Sequence, residues 1–324
     1  MNKEHKIVKI NIDNTYDAVI FGKLCKEVNF NYLGLKEKRP GGSLVYATST
    51  CASCLNKVAI VPKLSPSDKV MLESLYGRHV DLFPIYDEFS QEIRNHIYED
   101  DLGNDYLLSY CYTQSAPFHV NDIPKLNTYY YIFPKGVYGD YDVDLIKECS
   151  LQGKVALDAS TFLNYINEET HILEFRDHHL IKDLCPYCDI LKISHDECLK
   201  VTNADSIENA CKILKSWGAN EILVVKGKNL FLMDKNDNFI SENIPCNLNL
   251  NSTYIDTVCL VAYATARITS DPIFSLYNAC VVGMSKIHRP GTVTCSRTEL
   301  DYLTKFMYSF KPVVTIEPVE DNEN

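Results

Sequence analysis

The chain has 324 residues, 46% of them hydrophobic and 23% charged, so it can bury a large core as one big domain or two smaller ones. Its formal net charge of −11 and pI near 5.3 argue against general binding to nucleic acids or anionic membranes, because phosphate contacts need a basic surface. A local basic pocket for one phosphorylated ligand is compatible with that charge.

The scattered cysteines and the lack of a secretion signal indicate a reducing compartment. No apolar run of a signal peptide follows the opening MNKEHK, and no stretch approaches the roughly 18 apolar residues of a membrane span. Thirteen scattered cysteines then favour reduced thiols over a disulfide framework. We expect a cytoplasmic protein without membrane association, ending in a frayed acidic tail at 316–324.

The first third of the chain predicts short strands around one helix. Residues 16–22, YDAVIFG, form an apolar run closed by glycine, which is typical of a buried strand that ends in a turn. Small and apolar residues at helical spacing follow in LVYATSTCASCL (44–55), and NKVAIVPKL (56–64) returns to strand. Residues 84–118 alternate polar and apolar side chains around DDLGND, which predicts an antiparallel hairpin with one exposed face.

From about residue 126 onward, the pattern alternates between strands and helices. The predicted strands are TYYYIFP (128–134), GKVALDAS (153–160), CDILKIS (188–194) and NEILVVKG (220–227). The predicted helices are 140–152, 174–185 and 206–219, followed by two consecutive helices within 256–287. This alternation predicts a three-layer α/β/α domain with a mostly parallel central sheet and a small β-rich element near the N-terminus.

Two glycines and one acidic residue stand where ligands bind to such sheets, beyond the carboxyl ends of the strands. Gly41 and Gly42, in the turn RPGGS, either let the backbone approach a ligand or form an ordinary turn. Asp256 begins the apolar helix in NSTYIDTVCL, so its carboxylate is either catalytic or a helix cap, and capping alone stabilises by about 0.5–2 kcal/mol. The residue types by themselves fit both alternatives.

In order and spacing, several segments resemble the ribokinase-like (PfkB) carbohydrate kinases, nearest the branch of inositol and related sugar kinases. The resemblance runs from about residue 16 to about 295 and rests on GGSLVYATSTCASCLNKVAIVPKLSPSD, VALDAS, CDILKISHDE, NEILVVKG and NSTYIDTV. It implies one ribokinase-like domain over 1–324, with a lid formed by about 23–40 and 84–118. It also implies ATP and Mg²⁺ as cofactors, a sugar, polyol or nucleoside as acceptor, and a homodimer through the lid.

Carried over residue by residue, the resemblance implies a phosphotransfer site. Asp256 matches the general base of the family's Gly-Ala-Gly-Asp turn, whose backbone N–H groups hold the transferred phosphoryl charge. Gly41 and Gly42 match acceptor contacts, and Glu27 does so in a looser alignment. The positions matching nucleotide contacts are Lys226, Gly227, Thr253 and Ile255.

The chain departs from the family at the turn itself. Thr253, Tyr254 and Ile255 replace Gly-Ala-Gly, and side chains in αL geometry cost roughly 1–2 kcal/mol per residue and fill space that phosphate oxygens need. Tyr46 replaces the asparagine after the Gly-Gly turn, and Leu230 replaces the second glycine of a nucleotide-binding Gly-x-x-Gly. We therefore weigh two functions: an ATP-dependent carbohydrate kinase, and a non-catalytic protein that keeps the fold for binding or regulation.

Glu197 and the paired cysteines have structural alternatives. Glu197 matches the family's magnesium-ordering acid, but the segment SHDE is also a capping-box pattern. Cys185 and Cys188 have redox-type spacing, yet a strand rather than a helix is predicted after them, and a helix N-terminus is what lowers a thiol pKa. Cys51 and Cys54 lie one turn apart on a predicted helix, where core packing is expected. A zinc site joining both pairs is the remaining alternative.

Overall fold

The computed structural model describes residues 15–30, 36–55, 57–99, 105–176, 179–245, 254–287 and 291–309. The strands are β1 (Thr15–Lys23), β2 (Cys25–Phe30), β3 (Lys36–Gly41), β4 (Val58–Leu64), β5 (Val80–Leu82), β6 (Ile85–Tyr86), β7 (Glu92–Glu99), β8 (Asp105–Thr113), β9 (Asn127–Phe133), β10 (Lys154–Asp158), β11 (Asn164–Ile166), β12 (Leu173–Phe175), β13 (Ile190–Ser194), β14 (Glu221–Lys226), β15 (Asn229–Met233) and β16 (Phe239–Asn243). The α-helices are α1 (Ser43–Cys54), α2 (Val143–Gln152), α3 (Leu180–Leu184), α4 (His195–Thr202), α5 (Ile207–Ser216), α6 (Ile255–Ala266), α7 (Pro272–Ile287) and α8 (Arg297–Ser309).

A ten-stranded sheet forms the middle of the molecule. Its order is β16-β15-β14-β13-β10-β9-β1-β4-β5, and β6 also pairs with β4. All pairs from β14 to β5 are parallel, whereas β15 and β16 are added antiparallel at one edge. The parallel strands therefore bring their carboxyl ends to one edge of the sheet, which is where ligands bind in open α/β folds.

Helices cover both faces of this sheet. One apolar core lies under α1, α6, α7 and α8, and the other lies under α2, α3, α4 and α5. Because the inner strands are covered on both sides, they are continuous apolar runs, and all seven residues of β4 are buried. The predicted three-layer α/β/α architecture with a mostly parallel sheet is confirmed.

A second sheet of four strands, which we call the small sheet, has the order β3-β2-β7-β8. Strands β2 and β7 are parallel, and the outer pairs are antiparallel. The hairpin predicted within 84–118 is present as β7 and β8, while Ile85–Tyr86 belong to the large sheet. The hairpin turn at 100–104 and the acidic segment 316–324 lie outside the described residues.

One predicted helix is wrong over part of its length. Within 174–185 the helix α3 covers only Leu180–Leu184, and Leu173–Phe175 form β12 instead. Strand β12 pairs antiparallel with β11, and the neighbouring Ile172 bridges to Tyr110 of β8. These tertiary pairings outweigh the weak local preference for helix. Among the described helices, none has both the length and the apolarity needed to cross a bilayer.

Candidate active site

A buried lysine connects two acidic residues at the carboxyl edge of the large sheet. Lys192 is fully buried in β13, and its Nζ lies 3.0 Å from Oδ2 of Asp158, at the end of β10. The same Nζ lies 2.8 Å from Oδ2 of Asp256, in the first turn of α6. A buried charge needs such partners because taking it out of water is costly. Burial alone would lower the pKa of Lys192, but the two carboxylates raise it, so the ammonium stays charged.

Asp256 combines an ionised carboxylate with partial exposure. Its side chain is 20% exposed, its Oδ1 accepts a hydrogen bond of 2.9 Å from the N–H of Thr257, and Lys135 Nζ lies 3.9 Å from Oδ2. Burial would raise the pKa of Asp256, but the Lys192 and Lys135 charges outweigh burial and hold it well below the ordinary range. The carboxylate is therefore charged at neutral pH, with a lysine on the exposed side and another on the buried side.

Asp256 is not the cap of α6. The N-cap is Tyr254, which has φ 62° in the left-handed region and makes no side-chain capping bond. Asp256 lies in the first turn, where the helix dipole favours a negative charge, but its strongest partner is Lys192. Its role as the counter-charge of a buried lysine therefore replaces capping as the structural alternative to catalysis.

Glu27 is buried between the small sheet and the start of α6. Its Oε2 accepts a hydrogen bond of 2.8 Å from the N–H of Gly42 and one of 3.1 Å from the Tyr254 hydroxyl. Its Oε1 accepts from Asn29 Nδ2 at 2.8 Å and from Arg39 Nη2 at 3.2 Å. The acid that the resemblance assigns to acceptor contact is thus fully engaged by the chain itself.

The Gly-Gly turn is required by internal packing. A Cβ on Gly41 would lie 2.1 Å from Oε2 of Glu27, and one on Gly42 would lie 2.9 Å from Sγ of Cys25. Gly42 also has φ 84°, which L side chains rarely adopt. Next in the chain, the Ser43 hydroxyl donates to the carbonyl of Lys135, which brings the turn near the lysine beside Asp256.

Two tyrosine rings occupy the space between the Gly-Gly turn and α6. The rings of Tyr46 and Tyr254 stack with centroids 4.6 Å apart and planes inclined by 22°. Arg39 Nη2 donates to the Tyr46 hydroxyl at 3.0 Å, and Lys286 Nζ lies 5.4 Å from the centroid of the Tyr46 ring. Burial and the nearby Arg39 charge lower the pKa of Lys286 to about 8. Both tyrosines are departures from the family pattern, and they contact each other.

Two of the residues matched to nucleotide contacts, Lys226 and Gly227, lie where β14 ends. Lys226 Nζ lies 3.4 Å from Nε2 of His195 at the start of α4. Gly227 has φ 56° in the two-residue turn between β14 and β15, where a hairpin calls for glycine, and an added Cβ there would meet nothing within 4 Å. Leu230 is fully buried in β15, so the second glycine is replaced by a core residue. Ile255 is buried against α7 near Gly283, and Thr253 lies outside the described residues.

Comparisons with known proteins decide the fold. No protein-family model matches the chain, and no curated protein matches its sequence. A pyrophosphate-dependent kinase in the ribokinase family, complexed with a pyrophosphate analog and myo-inositol, is 20% identical with a TM-score of 0.76 over 88% of this chain and 99% of that chain. Ribokinase of Arabidopsis thaliana, complexed with ribose and ATP, is 14% identical with a TM-score of 0.69 over 90% and 99%. A putative ribokinase II from E. coli, in complex with ATP and Mg²⁺, is 13% identical with a TM-score of 0.68 over 90% and 99%.

The chain has the ribokinase-like fold. The resemblance found in the sequence is therefore confirmed for the fold, and the structural neighbours are sugar and inositol kinases. Within this ribokinase-like fold, the described residues bring Glu27, Gly41 and Gly42 together on one side of Tyr254, and place Asp256 beside Lys192 on the other.

Glu197 is the glutamate of a capping box in this fold. Its Oε2 accepts hydrogen bonds from the N–H and hydroxyl of Ser194, at 3.1 and 2.6 Å, and from the Ser160 hydroxyl at 2.7 Å. No group of three or more acidic, histidine or cysteine side chains among the described residues could hold a metal ion. Mg²⁺, however, usually binds through one or two carboxylates together with waters and substrate phosphates. The described hydrogen bonds to Glu197 all end on Oε2, and none of them uses Oε1. Glu197 therefore fits a magnesium site that uses a single carboxylate.

The Cys-x-x-Cys pairs are core residues. Cys185 and Cys188 are buried in a short 3₁₀ turn that is followed by β13, as expected. Burial raises the pKa of Cys185 to about 12 and that of Cys188 well above its ordinary value, so neither is a reactive thiolate. Cys51 and Cys54 lie on α1, where burial raises the pKa of Cys54 to about 12. Nothing in the described residues supports the redox or zinc alternative.

Lys192 was not among the site residues predicted from the sequence. The available signal was a lysine inside CDILKIS, an otherwise apolar strand that a covered sheet was expected to bury. A charged residue at such a position needs partners, and the carboxyl ends of neighbouring strands are where they can be supplied. Arg39 and Lys135 carried no comparable signal, because Arg39 stands in the polar segment KEKRPGG and Lys135 stands in the turn PKG after a predicted strand, where a charged residue is ordinary.

Proposed function

We propose that the chain is a carbohydrate kinase that transfers the γ-phosphate of ATP to a hydroxyl of a sugar or polyol, with Asp256 as general base. The observation that carries this proposal is the ionised, partly exposed carboxylate of Asp256 at the start of α6, beside Lys135 and Lys192. Phosphoryl transfer depends mainly on positioning and charge compensation, so a base flanked by two cations suits the reaction. Nucleosides are a further acceptor class in this proposal.

In the proposed reaction, the acceptor oxygen forms a bond to the γ-phosphorus while the bond from that phosphorus to the bridging oxygen breaks, and ADP leaves. Asp256 accepts the hydroxyl proton. Because its pKa is low, proton transfer becomes favourable late, when bonding to phosphorus has made the hydroxyl acidic. Lys135, which is 43% exposed, offsets charge on the transferred group, and Lys226 and Gly227 contact the nucleotide. Glu197 would hold Mg²⁺, and the ion would supply positive charge against the phosphate oxygens.

The small sheet serves as the lid in this proposal. It carries Glu27, which bonds both to the Gly-Gly turn and to Tyr254. A sheet held over the acceptor side would exclude water, which otherwise competes for the phosphoryl group.

The same sheet supports the proposed homodimer. On the face opposite Glu27, Phe30 stacks on His96 with centroids 4.3 Å apart, and Tyr98 and Tyr112 are 38% and 41% exposed. Burying such a face against a second copy removes apolar area from water. Sedimentation equilibrium should give a dimer, and Tyr98→Lys should shift it to monomer. A wild-type monomer would refute this part.

Pyrophosphate is a second candidate donor. The pyrophosphate-dependent kinase gives a TM-score of 0.76, against 0.69 and 0.68 for the two ATP-bound ribokinases. In addition, Leu230 stands in the core where the family's second nucleotide-binding glycine is expected. A donor without a nucleoside would not need that glycine.

A non-catalytic binding or regulatory protein is the second candidate function. The observation in its favour is Tyr254, whose ring and hydroxyl fill the space beside the Gly-Gly turn. Ile255, buried against α7, likewise stands where a glycine would let the backbone contact phosphate. Such a protein would bind a ligand without turning it over.

The test combines turnover with binding. Purified protein is incubated with Mg²⁺ and either ATP or pyrophosphate across a panel of sugars, inositols and nucleosides, and phosphorylated products are followed by ³¹P NMR. Asp256→Asn should lower the rate by about 10²–10⁴-fold. Asp271→Asn, which changes the acid that accepts from the Phe274 N–H at the start of α7, is the matched control. The absence of product with either donor would favour the non-catalytic alternative. The absence of a thermal shift would favour it as well, because a donor at 100 times its Kd should add about 2.7 kcal/mol to the free energy of unfolding.

A further inference from the structure

We propose that Tyr254 competes with the acceptor for Glu27. The Tyr254 hydroxyl occupies the position on Glu27 that a hydroxyl of a neutral ring polyol would take, so the polyol must displace Tyr254 to bind. The proposal rests on the proposed function and on the resemblance, which matches Gly41, Gly42 and Glu27 to acceptor contacts. It names both the class of the acceptor and the residue that limits its binding.

The bond from Tyr254 to Glu27 has the chemistry of a bond from a polyol. A neutral hydroxyl donates to a carboxylate oxygen over 3.1 Å, and that same oxygen accepts from the N–H of Gly42. Burial, together with the Glu27 charge, raises the pKa of Tyr254 well above its ordinary value, so the hydroxyl stays a donor. A polyol hydroxyl could replace it without leaving the buried carboxylate short of a partner.

Tyr46 offers a flat surface under the same position. Its ring lies 4.6 Å from that of Tyr254, so departure of Tyr254 would expose a ring face of Tyr46 beside Glu27. Arg39 Nη2 donates both to Glu27 and to the Tyr46 hydroxyl, and this holds the carboxylate and the ring in place. A ring with an apolar C–H face and hydroxyls at its rim matches an aromatic face next to a carboxylate.

The inner face of the small sheet continues this surface with uncharged polar groups. Asn29 Nδ2 donates to Glu27 at 2.8 Å, Asn95 Nδ2 donates to Asn29 at 2.9 Å, and the Ser109 hydroxyl donates to Asn95 at 2.7 Å. Amides and hydroxyls can each donate and accept, so they suit several adjacent hydroxyls. A neutral acceptor is favoured because Asn29, Asn95 and Ser109 carry no positive charge that could pair with an anion.

The backbone at Tyr254 works against the closed arrangement. The residue has φ 62°, a conformation that L side chains rarely adopt and that glycine adopts without penalty. The contacts with Tyr46 and Glu27 therefore hold Tyr254 in a disfavoured conformation, so the arrangement can be exchanged for another. When only a fraction of the protein is open, the apparent Kd rises by the inverse of that fraction.

Two variants test the proposal without any donor. Tyr254→Phe removes only the hydroxyl, and Tyr254→Gly removes the ring at a backbone conformation that glycine accepts. The binding of myo-inositol and of ribose is measured by isothermal titration. At least one of these two polyols should bind to both variants about tenfold more tightly than to wild type, because a tenfold change in affinity is the size expected from losing a hydrogen bond to a charged group. The matched control is Tyr277→Phe on α7, which removes a tyrosine hydroxyl that donates to Glu242 at 2.7 Å, and it should bind as wild type does.

The outcomes separate this proposal from the kinase proposal. Unchanged or weaker binding in both Tyr254 variants, or no binding of either polyol by any of the four proteins, would overturn it. Tighter polyol binding by the variants without phosphoryl transfer would support the competitor proposal and contradict only the kinase proposal. Transfer by wild type with an acceptor KM that Tyr254→Phe does not lower would support the kinase and overturn the competitor. Circular dichroism of both variants checks that they fold.

Discussion

Helices α4 and α6 begin at the same edge of the large sheet in opposite ways. At the start of α4, Ser194 is an extended N-cap whose hydroxyl accepts from the N–H of Glu197, and Glu197 returns the bond to complete a capping box. At the start of α6, Tyr254 is a left-handed N-cap without a side-chain capping bond. The first start follows local rules within four residues, and the second breaks them.

The partners of α6 come from far along the chain. Asp256 pairs with Lys192, which is 64 residues away, and Tyr254 bonds to Glu27, which is 227 residues away. Positions where local preference is overridden by tertiary contacts concentrate at functional sites, where the surrounding structure sustains the strain. The contrast therefore supports the proposed position of the general base at the start of α6, whereas the start of α4 is stabilised by its own capping box.

The largest expected effect is at Lys192. Lys192→Met leaves the carboxylates of Asp158 and Asp256 without their shared cation, and removing one partner of a buried ion pair costs about 3–5 kcal/mol. Urea unfolding at pH 7 should show this loss. Burial already raises the folded-state pKa of Asp158, and losing the lysine removes a charge that lowers it, so the cost should be present at neutral pH and shrink as the pH falls towards the unfolded value near 4.

Lys212→Met is the matched control for that prediction. Lys212 pairs with Glu208 on the surface of α5, where an ion pair contributes only about 0.3–0.5 kcal/mol. Adding Asp256→Asn to Lys192→Met should recover part of the lost stability, because one uncompensated charge disappears. A Lys192→Met protein as stable as the Lys212→Met protein would contradict the role of Lys192.

Lys286 gives the next largest effect and reports on the cluster around Tyr254. Burial and Arg39 lower its pKa in the folded state to about 8, from an ordinary value of 10.5. Between these values the unfolded chain keeps a proton that the folded protein has lost, so folding becomes more favourable as pH rises, by up to about 3 kcal/mol. Unfolding curves of wild type and Lys286→Met at pH 7 to 10 should therefore diverge. Parallel curves would contradict a neutralised Lys286.

The sequence predicts much of the fold because its signals are local or periodic. The parallel sheet follows from continuous apolar runs such as β4 alternating with helices, and the capping box of α4 is readable in SHDE. Strand β12 was not predictable, because it is specified by pairing with β11 and not by its own residues.

The candidate site was predictable only in part. Asp256 could be proposed from its position in the sequence, but its pairing with Lys192 and the contact between Tyr254 and Glu27 depend on distances in space between residues far apart in sequence. The replacement of Gly-Ala-Gly by larger residues showed that the turn is altered. It could not show that Tyr254 would stack on Tyr46, because packing of two substituted side chains is a property of the folded chain.

Two serine caps sharpen the comparison from the side of α4. Ser194→Ala should cost about 1–2 kcal/mol, because its hydroxyl both caps the helix and bonds Glu197. Ser206→Ala removes a single bond from Asn209 at the start of α5 and should cost about 1 kcal/mol or less. Thermal unfolding of both variants measures the difference. Equal losses would show that the bond to Glu197 adds nothing to the cap.

The smallest expected change in stability is at Lys226, where a change in binding is nevertheless expected. Its exposed side chain bonds only weakly to His195, so Lys226→Ala should alter the free energy of unfolding by less than about 0.5 kcal/mol. If Lys226 contacts donor phosphate, losing its charge should weaken binding of ATP or pyrophosphate by about tenfold, the size of one charge-assisted bond. Lys200→Ala, which removes an exposed lysine farther along α4, is the matched control. Both variants are titrated with ATP and with pyrophosphate. If Lys226→Ala and Lys200→Ala bind each donor with equal affinity, Lys226 does not belong to the proposed site, which would then rest on the ion pair of Asp256 and Lys192.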